Sequence, residues 1–422
     1  MVLSVGGRVP PSVGLPHARR RRPGDTAEVA LPTGSPLDLA VVGLGAAGGS
    51  LAWRLAGAPV RFAVVEPPPS SDRRSPQRTW CTWGASGPGP FGPLVAASWS
   101  RLRLVAADGS SVERSLGSWR YRMLHSADVE AAVRARLAAA GVPVVTGVVQ
   151  ELAAAGDGVR LRGAGLDLRA RRVLDTRPVP VPTTGRTLLL QHFLGRRIRT
   201  QAPVFDAGTV TLMDFRVPQP RGGVAFGYVL PTSAHEALVE YTEFSRDLLT
   251  DAGYDDAWQE YLHRSGIGAH EVLGEERGVI PMTDAEFPPH PVPGVHRFGA
   301  SGGAVRPSTG YAFSAVQRQS DAVAAALAAG REPRPPQVHG RRHLLMDSLV
   351  LEAVARSRLA GDELFVELFR RNPVHRVLGF LDGSTGLVDD LRLMASAPRG
   401  PMLRTVAGRA RRRSGGAGAL RR

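Results

Sequence analysis

Lysine is absent from this chain: all 53 basic side chains are arginine, set against 38 acids for a net charge of +15. An all-arginine count points to a bias in coding composition as much as to selection for charge. Residues 1–36 hold five arginines and two acids, and residues 404–422 hold seven arginines and no acid, so the ends carry ten of the fifteen net charges. The middle is only mildly basic, and no specific nucleic-acid partner is expected. Arginine-rich ends bind phosphate non-specifically, on nucleic acid or lipid headgroups, or are simply solvated. Cysteine is nearly absent. The single Cys81 excludes an intramolecular disulfide framework and fits a reducing compartment. The 11 histidines show no metal-ligand spacing, so no metal site is expected. No apolar run reaches the roughly 18 to 20 residues that span a bilayer, and Arg19–Arg22 is not followed by the apolar core of an export signal. A cytoplasmic protein is expected, peripheral to the membrane if it meets one.

At 422 residues and 43% hydrophobic content, the chain is long enough for two or three core-forming units. After an Arg/Pro-rich tail at 1–36, read as disordered, LDLAVVGLGAAGGSLAWRLAG reads as a buried strand, a glycine turn and a helix. VRFAVVEP follows as a second strand. RLRLVAADGSSVERSL predicts a hairpin turning at Asp108-Gly109, and SADVEAAVRARLAAAG a helix capped by Ser126 and stopped by Gly141. From 186 to about 245, strand patterns alternate with short turns, as in an inserted antiparallel sheet. The expected division is a Rossmann-like domain over 37–185 and 270–330, a substrate-binding sheet domain over 186–269, a helical membrane- or substrate-facing region over 331–403, and a basic tail over 404–422.

Gly43, Gly45 and Gly48 form GxGxxG between the first strand and helix, and Glu66 closes the second strand. Such glycines let a pyrophosphate approach the helix N-terminus, while the acid accepts hydrogen bonds from ribose hydroxyls. FGASGGAVRPSTGY (298–311) adds a late glycine loop before a helix, an arrangement that favours FAD over NAD. Its candidate contacts are Gly299, Gly302, Gly303, Pro307, Thr309, Gly310 and Tyr311.

RTWCTW (78–83), QHFLG (191–195), LMDF (212–215), YVLP (228–231), ALVEYTEF (237–244), GVIPMT (278–283) and GGAVRPSTGY (302–311) together resemble the bacterial flavoprotein lycopene cyclases, in order and spacing, over roughly residues 37–400. The sequence departs from them at Arg78, where histidine is more usual, and at Thr82, which interrupts an aromatic-rich stretch. Ala300 stands where many related flavoproteins carry an aspartate. The resemblance implies an α/β, two-lobed FAD-binding fold of the hydroxylase type, with an inserted antiparallel substrate sheet and a helical C-terminal region. It also implies conversion of lycopene, or a related ψ-end carotenoid, to γ-carotene and then β-carotene, an isomerisation that needs reduced FAD with NAD(P)H as reductant. A FAD-dependent monooxygenase or a polyprenyl or carotenoid reductase shares the same FAD unit. A non-catalytic polyene- or nucleic-acid-binding flavoprotein is a further alternative.

Cyclisation needs an acid for the terminal alkene, an apolar cavity for the carbocation, and a base for the ring proton. Burial keeps a carboxyl protonated at neutral pH. In HEALVEYTEFS the period-2 pattern puts Leu238, Glu240, Thr242 and Phe244 on one strand face and Val239, Tyr241 and Glu243 on the other. The resemblance places the essential acid at Glu240, with Asp214 in LMDF as a candidate partner. Glu243 reads as a solvated or structural acid. Trp80, Trp83, Phe226 and Tyr228 are candidates to face the cation. The base, the ring type, the number of ends cyclised, the oligomeric state, and whether Glu240 donates the proton or steadies the cation stay open.

Overall fold

The computed structural model describes residues 37–72, 77–181, 187–398, 400 and 404–407. The tail expected at 1–36 and the basic end, 404–407 apart, lie outside the described residues.

LDLAVV and FAVVE are near-continuous apolar runs, the mark of strands covered on both faces. They form β1 (Leu37–Val42) and β2 (Phe62–Glu66), parallel neighbours joined through α1 (Ala46–Leu55). Next come β3 (Thr79–Gly84), β4 (Val95–Trp99), β5 (Arg101–Val105), β6 (Ser111–Ser115), β7 (Arg120–His125) and α2 (Ser126–Ala139). β5 and β6 make the hairpin expected at Asp108-Gly109. Ser126 opens α2 but does not cap it. Its hydroxyl accepts from the Arg78 N–H at 2.7 Å and donates to Gln77, so it ties down the segment before β3 instead. β8 (Val144–Thr146), β9 (Glu151–Ala155), β10 (Gly158–Gly163) and β11 (Leu166–Asp175) then complete most of the first sheet, ordered β8-β2-β1-β11-β10-β9.

β12 (Leu188–Thr200), β13 (Thr209–Asp214), β14 (Val224–Pro231), β15 (Glu236–Ser245) and β16 (His270–Thr283) form the second sheet, with α3 (Asp251–Ser265) between the last two in sequence. Its order is β16-β12-β15-β14-β13-β5-β6. The β5–β6 hairpin and β16 therefore belong to this sheet, although their segments were expected in the Rossmann-like domain. β5 pairs in parallel with β13, a long-range pairing that no local pattern encodes. β3, β7 and β4 form a third, small sheet.

β17 (Val295–Arg297) returns to pair in parallel with β11, and α4 (Phe313–Ala328) follows the second glycine loop back onto the first lobe. α5 (Arg341–Ala355), α6 (Gly361–Arg371), α7 (Val374–Asp382) and α8 (Leu387–Ser396) make the C-terminal region. The second sheet is buried on both faces. α3 covers one through Tyr254, Trp258 and Tyr261 against Leu194, Val239 and Tyr241. The C-terminal helices cover the other through Leu351, Phe365 and Phe369 against Phe226, Leu238 and Phe244. A cavity remains between that second face, the small sheet and the first lobe.

Candidate active site

The glycine turn after β1 is shaped for close approach. Gly43 has a left-handed φ of 97°, and a Cβ on Gly48 would lie 1.9 Å from the Gly43 carbonyl oxygen. Gly45 stands at the N-cap of α1 without a side-chain cap, so the first-turn N–H groups face outward, and Ala46 and Ala47 line the cavity. Thr309, Gly310 and Tyr311 reach the same cavity from the second glycine loop, with Ala300 at its short helical turn. Gly299, Gly302 and Gly303 build that turn, and Pro307 is buried between Arg306 and Ser308. Glu66 ends β2 and is paired with Arg134 of α2. The turn, the uncapped helix and the two loops converging on one cavity fit a dinucleotide cofactor.

The cavity holds about 270 Å³ and is lined mostly by apolar groups. Trp80, Trp83, Phe226 and Tyr228 all line it. Trp83 is stacked between Tyr311, with ring centres 4.1 Å apart, and Tyr121 at 5.7 Å. Its indole N–H donates to the Leu378 carbonyl in α7, so a C-terminal helix fixes the ring. Phe226 meets Phe244 edge to face. The Tyr121 and Tyr228 hydroxyls lie 2.7 Å apart, and Tyr228 donates to the Cys81 thiol at 3.1 Å. Burial pushes that thiol up to about 12 and both phenols well above their ordinary range, so all three are neutral.

Two carboxyls stand in the wall. Gly195 of β12 is opposite Glu240 on β15 and opposite Glu276 on β16. With no side chain between them, the two acids share one space. The point where a Gly195 Cβ would sit is 3.2 Å from the Glu276 Cγ and 3.4 Å from the Glu240 Oε2. Burial, reinforced by the charge of Glu276, pushes Glu240 up to about 8. Thr242 donates to its Oε1, leaving Oε2 beside Gly195. Glu276 is also raised by burial, but the backbone N–H and hydroxyl of Thr79 donate to its Oε2 at 2.8 and 2.9 Å. Arg78 completes the group. It is 8% exposed, its Nε and Nη1 have no hydrogen-bond partner among the described residues, and burial lowers it to about 10 against the pull of both glutamates.

Asp214 does not join Glu240. It is buried beneath α3, where Arg216 grips both its oxygens at 2.7 and 3.0 Å and the Tyr261 hydroxyl lies at 3.3 Å. The expected pairing is absent because β13 bulges between Thr211 and Asp214. The extra residue brings Leu212 and Met213 to the cavity and turns Asp214 to the opposite face. Glu243 also faces α3; it is 6% exposed and accepts from the Tyr241 hydroxyl. It is a buried structural acid.

The sequence matches the lycopene cyclase protein family over residues 38–407. The chain belongs to that family. A lycopene β-cyclase from Pseudescherichia vulneris is 28% identical over 388 residues, covering 86% of this chain and 95% of the relative. Among solved structures, a geranylgeranyl bacteriochlorophyll reductase-like protein from Thermoplasma acidophilum superposes with a TM-score of 0.61 at 14% identity, over 87% of this chain and 98% of its own. A p-nitrophenol 4-monooxygenase from Pseudomonas putida gives 0.55 at 17% identity, over 85% and 97%. At these identities the likeness shows the fold, the two-lobed α/β architecture of flavin-dependent hydroxylases and reductases.

In this lycopene cyclase family member, the residue that sequence reasoning missed is Glu276. Its signal was present: Glu276, Gly278 and Ile280 alternate along one strand, and an isolated glycine inside another strand, Gly195, marks a close approach. Arg78 was noted only as a departure from the family, yet it supplies the positive charge that lines the cavity.

Proposed function

We propose that the protein is a lycopene β-cyclase, closing ψ ends of lycopene or a related carotenoid to β rings with no net redox change, giving γ-carotene and then β-carotene. The observation that carries this reading is the Glu240 carboxyl, held up near 8 inside an aromatic wall beside both glycine loops. An alkene is so weak a base that its proton donor must be acidic, dry and adjacent, and a buried carboxylic acid still protonated at neutral pH meets all three needs. Once the proton has moved, the charge sits on carbon. Trp80, Phe226 and Tyr228 line the cavity, and an aromatic face attracts a desolvated cation by about 2 kcal/mol, while Trp83 is stacked between Tyr311 and Tyr121 and shapes the wall. The neutral Cys81 thiol and phenols offer no anion to trap it.

Gly43, Gly45, Gly48 and Glu66 on one side, and the Gly299–Tyr311 loop on the other, are the residues that would hold FAD. When bound and reduced, with NAD(P)H as reductant, FAD would supply an electron-rich surface that favours positive charge. The polyene substrate is insoluble in water, so the enzyme works as a peripheral protein at the cytoplasmic membrane. In support, α8 exposes Leu387, Val388, Leu391 and Met394 on its surface, and no helix among the described residues is long and apolar enough to cross a bilayer.

The test is expression in a lycopene-accumulating bacterium with product analysis. The wild type is expected to form β rings, and Glu240→Gln to lose at least 100-fold of that activity. Oxygenated or saturated products with stoichiometric nicotinamide consumption would overturn the reading.

A further inference from the structure

We infer that Glu276 is the base that removes the ring proton and returns it to Glu240 across the gap at Gly195. The inference rests on the cyclase reading above and assigns a second residue to the same site. The two acids lie in one wall of one cavity, on neighbours of the same strand, and Gly195 is the position that lets them face one another. Their surroundings differ. Glu240 accepts one hydrogen bond, from Thr242. Glu276 accepts two on a single oxygen, from Thr79. Two carboxyls this close do not both ionise readily, and the one with more donors ionises first. Glu240 therefore keeps the proton and Glu276 is the carboxylate.

The groups facing Glu276 from each element agree with this. Arg78 and Thr79 come from the β3 side, Arg197 from β12 and Glu240 from β15; the neutral Cys81 thiol lies further along β3. Both arginines favour the ionised form of Glu276. Arg78 is near-buried, with two N–H groups unsatisfied by the described residues, and a carboxylate is the charge that such a guanidinium needs nearby.

The step balances. Glu240 gives its proton to the chain-side CH carbon of the terminal alkene, leaving a tertiary cation on the dimethyl carbon. The electron pair of the next double bond closes on that cation: one carbon of the double bond forms the ring bond, and the other, which bears a methyl group, becomes the new tertiary cation. Glu276 takes the proton from the ring-junction carbon, and the C–H pair becomes the ring double bond. Glu276 is then the acid and Glu240 the carboxylate. Transfer of one proton across Gly195 restores both, with no net change in protons or electrons. The position of Glu276 also selects the product. Loss of a proton from the ring-junction carbon gives a β ring, loss from the ring methylene on the other side of the cation gives an ε ring, and loss from the methyl group gives an exocyclic alkene.

The experiment uses the full-length holoenzyme with lycopene in liposomes, comparing wild type, E276Q, E276D and E240Q. Flavin binding and thermal melting are measured for each. In E276Q, β-ring formation is expected to fall at least 100-fold, the residual product to shift towards ε and exocyclic rings, and the acid limb of the pH–rate profile to disappear. E276D is expected to recover part of the β-ring yield, and E240Q to lose rate without changing ring type. If E276Q does not fold, the E276D ring distribution decides: a wild-type rate and all-β product overturn the inference. A folded E276Q with wild-type rate, or with an all-β residual product and an intact acid limb, also overturns it. A wild type that forms no rings overturns the cyclase reading itself, and the inference with it.

Discussion

Glu240, the proposed acid, ties the proposed chemistry to the pH dependence of the fold. In the unfolded chain a glutamate ionises near 4.3, and in the folded chain burial holds Glu240 near 8. Between these values the folded state binds a proton that the unfolded state has lost, so stability falls as the pH rises through that window, by an amount on the order of several kcal/mol. Glu276 is raised in the same direction and adds to the slope. Glu240→Gln removes one source of this loss. Its melting temperature is expected to exceed that of the parent by a margin that grows from pH 5 to pH 8.5, measured by thermal melts across the range. The rate should show the complementary sign, with an alkaline limb near pH 8 in the wild type as Glu240 loses its proton. Gly195 is the second residue-scale test. A Cβ there meets the Glu276 Cγ at 3.2 Å and Leu238 at the same distance, so Gly195→Ala pushes Glu276 away and fills the gap towards the Glu240 Oε2 at 3.4 Å. The expected outcome is a drop in turnover larger than the drop in stability, read by steady-state rates beside thermal melts.

At the scale of elements, β13 decides the place of Asp214 by its bulge. Without the extra residue, strict alternation puts Asp214 on the face of Leu212 and into the cavity; with it, Asp214 binds Arg216 and Tyr261 beneath α3. Asp214→Asn is therefore expected to cost about 1–3 kcal/mol of stability, measured by denaturant unfolding, because it weakens a buried, charge-assisted contact. The turnover of the folded variant should stay within a few-fold of the parent; a loss matching that of Glu240→Gln would return Asp214 to the chemistry. Gly227 makes the same face testable from the other side. It is opposite Asp214, and a Cβ there would sit 2.0 Å from the Tyr261 ring, so Gly227→Ala must push α3 off the sheet.

At the scale of the whole molecule, the C-terminal helices serve two surfaces. Their inner sides close the cavity through Phe365, Leu381 and the Leu378 carbonyl that holds Trp83. Outward, Leu387 and Val388 are each 61% exposed, and Leu391 and Met394 are more than half exposed, on one helix. Binding to anionic liposomes in a flotation assay should weaken in Leu391→Asp and fall further with added salt. Equal binding by parent and variant would overturn the proposed membrane contact at α8.

Much of this was legible in the sequence. Apolar runs of strand length, a glycine turn and a terminal acid determined the first lobe, and the period-2 pattern of HEALVEYTEFS put Glu240 and Glu243 on opposite faces, as local sterics require. The hairpin at Asp108-Gly109 was equally local, but the sheet it joins was not. What only the tertiary structure decided is which groups meet. A bulge reverses the face of every residue after it, and strand pairing across long separations brings Glu240 and Glu276 to either side of Gly195. The bulge leaves no local trace, and the isolated Gly195 marks a close approach without saying which groups make it, because both depend on register, which is set by how whole faces are buried.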